Sequence, residues 1–401
     1  MLINRENYIK KIEPFLNKPV VKVISGMRRI GKSSIIKLII QKLKQEGISD
    51  ENILYINKES LEFDFIKTYK DLDNYVKGKL IKAKGKKYLF IDEVQEIEKW
   101  EKAILSFLTN NLADIFITGS NSRLLSSEIS TLLRGRYVEL RIYPLTFNEF
   151  LNFRLQPQDI ESEFRNYLRY GGLPGIHMLS LDNETQVFEY INAILSTVLY
   201  KDLMERYKIR EPEALGRILK YVFDNLGNVT TARSISNFLK NQRLKLTVDT
   251  TMNYLNFMEA AFLISRVKRF DLKGKHLLEI YEKIYPADAG LRHGLIGYSD
   301  KDISQILELI IYNELRSRGY NVYIGVFDNR EVDFVVEKGP EKLYIQVCYL
   351  LADEATKNRE FGNLLKIKDN YPKMVISMDK FYPEEYNGIK HKYLIDFLLE
   401  K

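Results

Sequence analysis

The residues Gly26 to Ser33 read GMRRIGKS and meet the spacing G-x-x-x-x-G-K-[ST] at every fixed position. In such a loop, backbone N–H groups converge on one small volume and cradle phosphate oxygens. Gly26, Arg29, Ile30, Gly31, Lys32, Ser33 and Ser34 would line that cradle. Lys32 would reach the β- and γ-phosphates of ATP, and the Ser33 hydroxyl would ligate Mg²⁺. The plainer account is a glycine turn that carries a lysine by chance. It leaves the match at all fixed positions, and the sequence on either side, unexplained.

Two carboxylates, a polar turn and two arginines could complete the chemistry. Tyr88 to Glu93, YLFIDE, reads as a buried parallel strand with an acidic tip. There Asp92 would hold the Mg²⁺ shell and Glu93 would orient or deprotonate the attacking water. Ile115 to Thr118 runs into Gly119-Ser120-Asn121. Asn121, or Ser120 before it, would hydrogen-bond that water or the γ-phosphate, or else simply cap a turn. Arg134 and Arg136 stand at a helix-to-strand corner, expected beside the ligand end of the sheet. They read as γ-phosphate sensors, as arginine fingers for a neighbouring subunit, or as a solvated pair at a helix C-terminus.

These residues need a scaffold, and the pattern supplies one. Val20, Val21, Val23 and Ile24 form an apolar strand before the loop, and Ile35, Ile36, Ile39, Ile40 and Leu43 recur at helical spacing after it. A short helix (Tyr8, Ile9, Ile12, Phe15, Leu16), stopped by Pro19, would cover the sheet or the nucleotide base. Strands at Ile53–Ile56 and Tyr137–Ile142 alternate with helices at Asp71–Leu80, Trp100–Leu108 and about Ser122–Leu133. Alternation of this kind implies a parallel sheet whose ligands bind at the carboxyl ends of the strands.

Composition narrows the classes. At 401 residues two to four domains are expected. With 45% hydrophobic and 29% charged residues the chain reads as soluble and globular, and no window approaches the roughly 20 apolar residues of a membrane span. The start, MLINRENYIKK, lacks a signal-peptide core, and a cytoplasmic location is expected. The single cysteine, Cys348, excludes an internal disulfide framework, and the four histidines show no metal-ligand spacing. A net charge of +7 is compatible with nucleic acid without requiring it.

In order and spacing, GMRRIGKS, YLFIDE, ITGSNS and LLRGR resemble the AAA+ superfamily. Within it the chain is similar to archaeal and bacterial predicted ATPases that join a AAA+ core to a C-terminal restriction-endonuclease-like domain. That resemblance implies ATP, Asp92 and Glu93 as the Walker B pair, a sensor at Asn121, and Arg134 or Arg136 at the arginine-finger position. Tyr170-Gly171-Gly172-Leu173-Pro174-Gly175 resembles the glycine-x-proline element of related ATPase lids. It would put Pro174 near the adenine, although a helix-breaking loop looks the same.

The expected architecture is α/β: a AAA+ P-loop core (1–145), a helical lid (146–208), a winged helix (209–284) and a PD-(D/E)XK-like domain (285–401). The winged helix reads as three helices and a hairpin hinged on Gly274, with basic residues before the third helix (Lys240, Arg243, Lys245) and on the wing (Arg266, Lys268, Arg269, Lys273, Lys275). Such charges suit phosphate contacts that position without reading sequence. In the last segment a helix with Glu308 and Glu314 precedes strands carrying Asp333 and then Gln346-Val347-Cys348. The nuclease pattern expects an acid and a lysine at Gln346 and Cys348, so that site reads as degenerate. The function expected is an ATP-driven machine acting near DNA. The alternatives are an ATP-dependent signalling switch with a protein partner and an ATP-regulated nuclease. No membrane partner is expected, and a trans arginine would require an oligomer.

Overall fold

A computed structural model of the chain describes residues 3–122, 133, 135–154, 157, 159–328 and 330–400. Contacts divide the chain into Met1–Ile142 with Ala260–Phe262, and Tyr143–Glu259 with Leu263–Lys401.

The first unit contains α1 (Glu6–Ile12), β1 (Val21–Ser25), α2 (Lys32–Gln45), β2 (Ile53–Asn57), α3 (Tyr69–Leu80), β3 (Tyr88–Asp92), α4 (Trp100–Thr109), β4 (Asp114–Gly119) and β5 (Tyr137–Arg141). The strands pair in the order β2-β3-β4-β1-β5, every neighbour parallel. Every residue of β1 and β3 is buried, as expected of a sheet covered on both faces. α2 buries Ile35, Ile36, Ile39 and Leu43, while Ile40 is half-buried. Thr68 and Asp71 form a capping box that starts α3, and Leu72, Val76 and Leu80 turn into the core. The helix expected over Ser122–Leu133 lies outside the described residues except at its ends.

The second unit begins with α5 (Phe147–Phe153), α6 (Ile160–Tyr170) and α7 (Glu184–Thr197), the last running on into a π-helical stretch, Val198–Glu205. Next come α8 (Pro212–Asp224), β6 (Val229–Thr230), α9 (Ala232–Asn241), α10 (Val248–Ala260), β7 (Ile264–Asp271), β8 (His276–Pro286) and α11 (Ala289–Ile296). The remainder is α12 (Ile303–Arg318), β9 (Asn321–Phe327), β10 (Arg330–Lys338), β11 (Glu341–Val347), α13 (Glu354–Leu365), β12 (Lys373–Ser377), β13 (Glu385–Tyr386), β14 (Ile389–Tyr393) and α14 (Leu394–Leu399). One nine-stranded sheet joins its strands in the order β13-β14-β12-β11-β10-β9-β7-β8-β6.

That sheet corrects the boundary expected at 284/285, which falls inside β8. β7 pairs with β8 on one side and, in parallel, with β9 on the other, through Arg269↔Ile324, Phe270↔Gly325 and Asp271↔Val326. The hairpin is therefore not a free wing. Pairing with β9 satisfies an edge that would otherwise present unpaired N–H and C=O groups. Among the described residues, no helix is long and apolar enough to cross a membrane.

Candidate functional site

Because β1, β3 and β4 are parallel neighbours, their carboxyl ends open onto one edge of the sheet, with β4 between the other two. The phosphate loop leaves β1 there. Gly26 has φ +148, and a Cβ on it would lie 2.7 Å from the Ile142 carbonyl oxygen. Gly31, at φ +100, caps α2 and turns the first N–H groups of that helix toward the loop. The carbonyl of Ile30 accepts from the buried Arg5 guanidinium at 3.2 Å, so the segment leading into α1 braces the loop. Arg29 and Ser34 are exposed and Ser33 is half-buried at the start of α2.

Lys32 is buried, donates to the Met27 carbonyl at 3.2 Å, and lies 3.3 Å from a Glu93 carboxylate oxygen. Glu93 follows β3 in the left-handed region, at φ 56, ψ 54. Its N–H donates to Thr118 Oγ1 at 2.9 Å, and the Gln95 amide donates to its carboxylate. Burial pushes the Glu93 carboxyl up, but the Lys32 charge, the Gln95 hydrogen bond and Arg28 outweigh it and leave it below the usual range. Asp92 is buried beside it, accepting from the Thr118 hydroxyl and, at 3.0 Å, from the Tyr55 hydroxyl. Burial and the Asp92 charge push the Tyr55 hydroxyl up, so it stays a donor. Ser120 and Asn121 are buried just beyond the end of β4.

The expected residues Lys32, Asp92 and Glu93 are thus brought together. Tyr55, Thr118 and Gln95 went unread in the sequence because each acts only on a neighbouring strand end or turn. Thr118 alone had a signal, as a polar residue ending an apolar strand. The placement expected of Arg136 needs a correction. β5 runs parallel to β1 with Val21 opposite Tyr137, so Arg136 lies at the amino edge of the sheet. At ~3.3 Å per residue that is roughly 15 Å from the phosphate edge of its own subunit, too far for a sensor in cis. The arginine at the phosphate edge of β5 is Arg141, opposite Ser25. Arg134 lies outside the described residues. Pro174 opens a 3₁₀ turn, Pro174–Met178, in the second unit, where the Gly172 N–H donates to Asp288 at 2.7 Å.

A second set of carboxylates gathers on α12 and β10. Glu308 and Asp333 are both buried, and Gln346 Oε1 accepts from the Asp333 N–H at 3.3 Å. Glu314 does not join them. It pairs with Arg318 one helical turn on, at 2.7 Å. Cys348 is buried, and burial with the nearby Glu360 and Asp333 charges pushes its thiol well up, so it remains protonated and uncharged.

A glycine-rich loop from β1 into α2, two acids closing β3 and a β2-β3-β4-β1-β5 parallel sheet define a P-loop ATPase domain of the AAA type. The AAA domain family matches residues 18–151, and a domain of unknown function (DUF8612) matches residues 161–302. The chain is 36% identical over 402 residues to an uncharacterized protein of Haemophilus influenzae, covering 100% of this chain and 99% of that one. It is 34% identical over 384 residues to one of Methanocaldococcus jannaschii, covering 92% and 82%. The chain belongs to the family of these two proteins. In fold it is similar to a Walker-type ATPase of Pyrococcus abyssi, at TM-score 0.53 and 14% identity over 74% of this chain and 96% of that one.

Proposed function

We propose that the first unit binds ATP with Mg²⁺ and hydrolyses it, coupling nucleotide state to a conformational change that serves a macromolecular partner. The observation that carries this is the Lys32–Glu93 pair at 3.3 Å beside the buried Asp92. Lys32 neutralises the β/γ-phosphates and, on moving to them, releases Glu93 to take the proton of the attacking water. A hydroxyl and a carboxylate are the oxygen donors Mg²⁺ prefers, so Ser33 and Asp92 would hold the ion, which neutralises charge on the phosphates. Asn121 would orient the water and Pro174 would approach the adenine. ATP turnover of the full chain, measured as phosphate release with and without Mg²⁺, tests this reading. Turnover unchanged in Lys32→Ala would refute it.

The order α8-β6-α9-α10-β7-β8 supports a winged helix. Lys240, Arg243, Lys245, Lys268 and Lys275 are exposed on it and could contact DNA phosphates. Two of the basic residues expected there are paired with acids: the half-buried Arg266 with Glu282 at 2.7 Å, and the exposed Lys273 with the exposed Asp328 at 2.5 Å. The exposed face of α10 (Asp249, Met252, Asn253, Asn256) carries no base. These pairings favour the second reading, a nucleotide-dependent switch for a protein partner. ATP turnover with and without duplex DNA at two salt concentrations separates the two. A DNA response that falls steeply with salt supports the first, and slow turnover indifferent to DNA supports the second. The run from α12 through the β9–β11 meander to α13 and β12 supports a restriction-endonuclease-like fold. Gln346 in β11 and Cys348 just after it count against its cleaving DNA.

A further inference from the structure

A restriction-endonuclease-like domain implies a divalent cation held by the carboxylates of its helix and central strands. The residues present here do not fit one. Into their midst β8 projects Lys283, whose side chain is 4% exposed. Its Nζ lies 3.0 Å from Glu308 Oε1 and 2.6 Å from Glu331 Oε1. The Tyr285 hydroxyl donates to the same Glu308 oxygen. Asp333 Oδ2 accepts the Val347 N–H at 2.8 Å. Among the described residues, no group of three or more His, Cys, Asp and Glu side chains is arranged to hold a metal ion.

We propose that the Lys283 ammonium is the resident cation of this cluster. It holds Glu308 and Glu331 where a nuclease would hold its metal, so the domain takes no catalytic divalent ion. The cluster instead ties hairpin strand β8 to α12 and β10. Charge agrees with this. Burial lowers the affinity of Lys283 for its proton, but Glu308, Asp333 and Glu331 outweigh that and keep it charged. Burial and the Glu308 charge push the Asp333 carboxyl well above the usual carboxylate range. A divalent ion entering the same space would meet that ammonium at close range in a buried setting, where like charges repel strongly. The lysine nearest in sequence to β11's gap supplies no substitute: Lys342 pairs with Glu337 at 3.2 Å and lies over the Phe270 ring.

The test is Mn²⁺ binding to the full chain, followed by electron paramagnetic resonance without nucleotide. Four proteins are compared: wild type, Asp333→Asn, Lys283→Met and the double variant. Wild type and Asp333→Asn should bind Mn²⁺ alike. Lys283→Met should gain one site at least tenfold tighter than any in wild type, and the double variant should lose it. A wild-type site that disappears in Asp333→Asn overturns the proposal, as does a folded Lys283→Met that gains nothing. Should Lys283→Met fail to fold, the comparison of wild type with Asp333→Asn decides alone, together with DNA incubation in Mn²⁺. Cleavage by wild type that is absent from Asp333→Asn counts against the resident lysine, and matching proteins that both leave DNA intact support it.

Discussion

Lys32 and Glu93 lie in contact, yet the proposed function gives them separable roles: Lys32 is its point charge for the phosphates and Glu93 its group that acts on water. Lys32→Ala should therefore abolish ATP binding in a titration with a fluorescent ATP analogue. Glu93→Gln should keep binding and lose turnover by about 10²–10⁴-fold, since an amide cannot take the proton. Equal loss of binding in both variants would contradict the separation. Asp288 makes a second prediction at this scale. It is buried, caps α11 through the Gly290 and Leu291 N–H groups, and holds Gly172. Burial raises its carboxyl from 3.8 to about 6, against those three hydrogen bonds. The folded state thus keeps the proton longer than the unfolded chain. That contribution is full below about pH 4 and lost as pH rises through 6, at most about 3 kcal/mol. Urea unfolding between pH 4 and 7 should show this decline, and Asp288→Asn should flatten it.

At the scale of elements, some helices carry glycines that nothing in their surroundings requires. Gly78 in α3 and Gly216 in α8 have no atom within 4 Å of a built Cβ. Alanine at each should stabilise the protein by about 0.5–1 kcal/mol through backbone entropy. Gly172 is the contrasting case, because its Cβ would lie 2.4 Å from the Leu145 carbonyl oxygen. Gly172→Ala should lower the melting temperature while the two helical variants raise it. A neutral Gly172→Ala would mean that the turn and the segment before α5 can separate freely.

For the whole molecule, parallel pairing of β1 and β5 leaves Arg136 at the edge of the sheet away from its own phosphate loop. If this arginine serves hydrolysis it serves a neighbour. Mixing an Arg134→Ala/Arg136→Ala variant with Lys32→Ala should then restore part of the turnover that each lacks, and wild-type turnover per site should rise with protein concentration. Turnover independent of concentration, with no rescue, would assign the arginines to structure. The nine-stranded sheet has a parallel consequence. With β7 paired to β9, the hairpin and the C-terminal strands should exchange backbone amide hydrogens as one protected block.

The phosphate loop, the acidic tip of β3 and their flanking elements were legible in the sequence because they are local. A run of apolar residues makes a buried strand, a fixed glycine spacing makes a cradle, and each signal lies within a few consecutive positions. Order along the chain also exposed the gap at Gln346 and Cys348. Pairing between distant segments was not legible. Nothing in LISRVKRFD announces that both of its edges are paired, one of them to a strand more than 50 residues on. Neither Lys283 nor Lys22 stood out in the sequence, yet both are buried beside carboxylates from other strands or helices. The side of the sheet on which Arg136 stands follows from strand direction alone. Such facts depend on which edges and charges meet in space, and a charge enters the interior only when a partner arrives with it. The residues able to handle phosphate were therefore set by the chain itself, and the company they and the buried lysines keep was decided by the tertiary fold.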